Sequence, residues 1–160
     1  MIYYSLVHPH LNYCLTAWGG TCNTTLKPLI TVQKRIVRIM TSSPFDSSSR
    51  PIFLKLGILP LNKLYNLNLS LLMHKIFNNK ITGSYNLTLT SNTHNLNTRS
   101  SKNKNYFKKF NKLNIGLNSF TSNGTKIWNK IPVDSKNKPL HLFKKDMKQY
   151  LINSLKEQIT

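Results

Sequence analysis

The chain has 160 residues and carries 23 Lys and Arg against four Asp and Glu, a formal charge of +19. The four carboxylates are Asp46, Asp134, Asp146 and Glu157. Two-metal phosphoryl transfer, glycoside hydrolysis and Asp-based proteolysis need paired carboxylates in one site, so this composition argues against all three and favours a surface that attracts polyanions.

Residues 1–80 hold nine cations and one acid, and residues 81–160 hold fourteen and three. The positive field is therefore spread along the whole chain. Two cysteines, Cys14 and Cys22, give no disulfide framework. The apolar first 18 residues lack a basic leader and a cleavage site, and no run is long enough to span a bilayer. The expectation is an intracellular protein, nuclear or cytoplasmic, that does not engage a membrane.

In chain order, Ile2 to about Trp18 reads as a helix that tolerates an interruption at Pro9 and ends at Gly19-Gly20. Asn23 to Thr25 offers caps for a second helix reaching about Thr41. Its apolar residues Leu26, Leu29, Ile30, Ile36, Val37 and Met40 recur at three- and four-residue steps, as one buried face requires. Lys27, Lys34 and Arg38 share the opposite stripe, with Arg35 beside it. This stripe reads as a phosphate rail in preference to a plain solvated face, because sequence-independent grip on a duplex is made through such cations.

A polar loop, Thr41 to Ser49, precedes a short helix from Arg50 to Leu56, stopped by Gly57. A long helix then runs from Leu59-Pro60 to about Asn79. Its broad apolar face (Leu61, Leu64, Tyr65, Leu71, Leu72, Ile76) is widened by Leu67, Leu69 and Met73, which predicts a central position. From Lys80 to Asn114 the periodicity fails, and the stretch reads as a flexible basic segment. Arg99, Lys102, Lys104, Lys108, Lys109 and Lys112 lie there, interleaved with Tyr106, Phe107 and Phe110. Two readings stay open: the cations neutralise phosphates while the rings stack on unpaired bases, or the segment is a tether whose rings pack locally.

Ile115 to Phe120 suggests a short strand. Thr121 or Ser122 would cap a short helix bearing Ile127 and Trp128, ended by Ile131-Pro132. A last helix starts near Pro139, with Leu140, Phe143, Met147, Tyr150, Leu151, Ser154 and Leu155 inside and Lys144, Lys145, Lys148 and Lys156 outside. His8, His10, Cys14 and Cys22 contain the right elements for zinc, but histidines two apart on a helix point to different faces. No metal or cofactor is expected, and Cys14 lacks a His and Asn set to activate it. Trp18 and Trp128 read as core anchors.

Six strings then line up in order: YYSLVHPHLNYCLTAWGG, LKPLITVQKRIVRIM, PIFLKLGILPLNKLYNLNL, HNLNTRSS, GTKIWNKIP and PLHLFKKDMKQYL. Together they resemble the C-terminal thumb and post-thumb region of jockey-like non-LTR retrotransposon reverse transcriptases, over nearly the whole chain. The paired-Asp polymerase motif of that family, which lies upstream of this region, is missing, so the resemblance implies polymerase ancestry without polymerase activity. It also implies a truncated piece of an element, with Met1 an internal start.

The expected fold is mainly α, a bundle of four to five helices with a flexible basic insertion and at most a short strand or hairpin. The expected division is a thumb-like domain over 1–80, a basic linker over 81–114 and a C-terminal Trp-containing segment over 115–160. The expected partners are RNA or an RNA–DNA duplex and the polymerase palm of an intact element. The alternatives are a helical protein–protein module and a relic with no selected role.

Overall fold

A computed structural model describes residues 2–81, 83, 85 and 87–157. Thr82, Ser84 and Asn86, read from the sequence as part of the irregular segment, lie outside the described residues. The protein is mainly helical: ten α-helices and no β-strand occur among the described residues. Among the described residues a single bridge, Leu89 with Tyr106, is the closest approach to a sheet.

The chain divides differently from the expectation. One compact unit comprises residues 1–67 and 148–160, the other residues 68–147. The division at 80 and 114 is not followed. The segment between them contributes buried residues, Asn105 and Tyr106, to the interior of the second unit.

In the first unit, Tyr3–Val7 forms a π-helical turn, followed by α1 (His8–Asn12) and α2 (Leu15–Trp18). The single helix expected here is broken. Pro9 has no N–H and is best placed in a first turn, and α1 restarts with it there. Cys14 then takes a left-handed conformation, φ 47°. The Trp18 indole Nε1 donates to the Tyr13 carbonyl at 2.8 Å and so satisfies an acceptor at the break. The helix α3 (Asn23–Met40) follows, with Cys22 rather than Asn23 to Thr25 in the cap position. α4 (Ser49–Leu56) ends at Gly57, whose φ of +62° suits a residue without Cβ. Tyr3, Val37, Ile52, Phe53 and Ile58 form the core here, with Val7, Ile36, Met40 and Leu56 packed around it.

Gln33 sits at the centre of α3's buried face, a position the periodic pattern of apolar residues does not include. Its Nε2 donates to the Tyr3 hydroxyl at 2.7 Å and the Leu59 carbonyl at 3.0 Å, and its Oε1 accepts from Leu61 N at 2.8 Å. One amide thereby ties α3 to the N-terminal turn and to the start of α5 (Leu61–Phe77). Leu29 of the expected face is instead exposed.

The second unit takes the C-terminal part of α5, α6 (Arg99–Lys102), α7 (Asn114–Asn118), α8 (Phe120–Trp128), α9 (Val133–Lys136) and the first half of α10 (Leu140–Lys156). The strand expected near Ile115 is α7, and the cap of α8 is Ser119, whose hydroxyl accepts from Ser122 N. Trp128 is fully buried among Phe77, His74, Tyr106 and Phe143. Burial of an indole of this kind is worth about 5 kcal/mol at the usual area coefficient. Asn129 holds the backbone of Tyr106 from both sides, accepting from its N–H at 3.0 Å and donating to its carbonyl at 2.9 Å. That pair of bonds supplies what a neighbouring strand would supply.

Of the expected α10 stripe, Phe143, Met147, Leu151 and Leu155 are buried, while Tyr150 is exposed.

Candidate nucleic-acid interface

The expected phosphate rail is split by the geometry of α3. Lys34 and Arg38 line an open cavity of about 440 Å³ that also takes in Arg50 and Lys63. Its floor and rim are hydroxyl-rich, with Ser47, Ser48 and Ser49, and Asp46 is the one acid among its described lining residues. Four cations against one carboxylate leave the cavity strongly positive.

Lys63 reaches in from α5, with its Nζ donating to Ser154 Oγ of α10 at 2.8 Å. Arg38 is held in place by a bond from Nε to the Ser47 carbonyl at 2.9 Å, which fixes where its guanidinium lies. The first turn of α4 lines the same cavity, and it carries no acid and no side-chain cap. The positive end of its dipole adds to the field.

Lys27 and Arg35 are not part of this cavity. Lys27 is exposed further back on α3. Arg35 faces another side, where its guanidinium and that of Arg38 lie 5.7 and 5.9 Å from the Phe45 ring centre. Arg50 and Lys63, which the α3 stripe does not include, complete the cavity. They carry no local pattern; only the approach of α4 and α5 to α3 gathers them.

The basic segment of the second unit is also sorted by the structure. Arg99 and Lys102 are exposed on α6, and Lys112 is exposed beyond it. Lys104 is exposed, donating to Asn137 Oδ1 at 2.9 Å, with its Nζ 5.7 Å from the Phe77 ring centre. Lys108 and Lys109 line a cavity of about 300 Å³ together with Phe107. Tyr106 is buried against Trp128 and is thus removed from the set of stacking rings, and Phe110 is 85% exposed.

Lys136 is a residue that sequence reasoning does not single out. It is fully buried, with Nζ donating to the Asn103 carbonyl and to Asn105 Oδ1, both at 2.8 Å, and lying 5.3 Å from the Trp128 ring centre. Burial pushes its pKa down to about 8. The string KIWNKIPVDSK gives no sign of this, because a lysine after a short helix is ordinarily solvated.

Among the described residues no group of three or more His, Cys, Asp or Glu side chains is placed to hold a metal ion. The His8 ring lies 5.3 Å from that of Tyr4 and 6.3 Å from that of Tyr3. Cys14 and Cys22 are exposed thiols. The hydroxyls of Thr24 and Thr25 hold the Cys22 thiol at a pKa of about 7. No helix among the described residues is long and apolar enough to cross a membrane. No family model, curated protein or solved structure was found to match this chain.

Proposed function

We propose that the chain is the thumb and post-thumb region of a jockey-like non-LTR retrotransposon reverse transcriptase, that it holds nucleic-acid backbone without sequence preference, and that it catalyses nothing alone. The observation that carries this reading is the cavity where Lys34, Arg38, Arg50 and Lys63 meet over serine hydroxyls. Phosphate oxygens can accept from all of these groups, and contacts of that kind carry no sequence information. The six-string resemblance supplies the ancestry, and the partner it favours is an RNA–DNA duplex.

A salt titration of duplex binding by fluorescence anisotropy tests this. Affinity should fall steeply with salt, and replacing Lys34, Arg38, Arg50 and Lys63 together by Ala should flatten the slope by about 0.9 for each phosphate no longer neutralised. Salt-independent binding, or a variant whose slope matches the parent, contradicts it.

A second reading is favoured by a separate observation. Leu29, Val32 and Ile39 stand exposed on α3 at 39%, 49% and 77%, and Phe45 beside them at 69%. Apolar surface of that kind marks a protein-binding face, and the occupant proposed is the polymerase palm of an intact element. Replacing Val32 and Ile39 by Lys should abolish association with that palm in a pull-down and leave the salt slope of duplex binding in place.

A further inference from the structure

The second unit contains a cavity of a different chemical character. Its volume is about 300 Å³, and Tyr85, Phe107 and Phe120 supply aromatic surface while Lys108 and Lys109 stand at its edge. The Tyr85 and Phe120 rings meet edge to face, 5.9 Å between centres, which fixes both. Phe107 is 47% exposed and presents part of its ring to the opening.

One further observation points to a ligand. Ser122 lines this cavity, is 7% exposed, and its Oγ is buried with no hydrogen-bond partner. A buried hydroxyl without a partner keeps the full cost of its lost hydration, and a χ1 rotation that brings it to the cavity wall lets a ligand atom satisfy it.

We infer that this cavity receives one unpaired nucleobase of single-stranded nucleic acid. The base lies against Phe107 and Phe120, Ser122 Oγ bonds its edge, and Lys108 and Lys109 neutralise the flanking phosphates. Three features select this occupant. Rings provide the stacking surface that every base shares. Two adjacent lysines match a backbone that runs past the opening. A hydroxyl both donates and accepts, so it accommodates any base edge, in keeping with weak sequence preference. The volume lies at the small end of ligand sites, which suits a single flat ring system and excludes a paired duplex. These residues are distinct from those of the duplex cavity and belong to the other unit, so either reading can fail alone.

The test uses the full chain, a uridine oligonucleotide and an RNA–DNA duplex of equal length, followed by anisotropy. Phe107→Ala should weaken single-strand binding roughly 5- to 150-fold, the range for one lost base stack, with duplex binding changed less than about twofold. Phe107→Tyr, which keeps a ring, should restore the single-strand affinity. In the unaltered chain, photocrosslinking with 5-iodouridine should give adducts at Tyr85, Phe107 or Phe120. Equal weakening of both ligands, an unchanged single-strand affinity, or crosslinks mapping elsewhere overturns the inference. So does an unaltered chain that fails to bind the single strand, which would leave the cavity to a protein ligand.

Discussion

The two units solve the same interior problem with different side chains. In the first, Gln33 joins three chain segments through a neutral amide whose bonds to Tyr3, Leu59 and Leu61 are all short. In the second, Lys136 does this with an ammonium group bound to two oxygens, the Asn103 carbonyl and Asn105 Oδ1, and placed against the face of Trp128. Neither oxygen belongs to a carboxylate, so these partners stabilise the charge through dipoles and a ring quadrupole. A chain with so few acids has little else to bring to a buried lysine. Below about pH 10 the neutral connector should be indifferent to pH, because burial pushes the hydroxyl pKa of its partner Tyr3 up, and the charged one should make its unit sensitive to it.

The largest effect expected is from Lys136→Ala. It removes a fully buried aliphatic stem and strands one buried and one part-buried acceptor, a combined loss of about 4 kcal/mol, read as a lower midpoint in urea unfolding followed by circular dichroism. A loss below about 1 kcal/mol would mean that the site refills and that Lys136 is no connector.

Next comes Gln33→Ala. Three buried partners lose their bond, and the loss should be about 3 kcal/mol by the same measurement, equal at pH 7 and pH 9. A pH-dependent loss would break the contrast between the units.

Smaller, and the sharpest of the three, is the pH dependence itself. The folded pKa of Lys136 is about 8 against an ordinary 10.5. Between those values the unfolded chain holds a proton that the folded chain releases, so stability rises with pH. The rise from pH 8 to pH 10 should be about 2 kcal/mol. Above pH 10 the burial of Tyr106, which pushes its hydroxyl pKa up, works the other way and closes the window. At the acid end, burial lowers the pKa of His74, whose ring is stacked on Phe143 at 4.4 Å and whose Nε2 lies 2.9 Å from the Lys138 carbonyl. Stability should therefore fall as pH drops below the ordinary histidine value of about 6.5. Lys136→Met should erase the alkaline rise and keep the acid fall, and a rise that survives in this variant would assign it to another group.

The periodicity of α3, α5 and α10 and the stop at Gly57 are all legible in the sequence. Most positions of these faces are buried as the helix period requires, but Leu29 and Tyr150 are exposed and Gln33 is buried, where side chains from other elements decide. The N-terminal segment reads as one helix because its apolar content hides the break at Tyr13 and Cys14, which the Trp18 indole supports from five residues away. The strand expected near Ile115 is a helix, because a short apolar run fits either period. Half of the basic cavity, Lys34 and Arg38, belongs to the stripe on α3. The other half, Arg50 and Lys63, comes from two other helices.

From the sequence alone came the helical class and the shortage of acids, since charge and period are properties of residues in order. Only the tertiary structure decided which cations share a cavity, that Tyr106 is buried while Phe107 stays partly open, and that Lys136 is enclosed. Those depend on side chains brought together across as many as 91 positions of chain, as Lys63 and Ser154 are, and no local pattern encodes which distant partner a residue will meet.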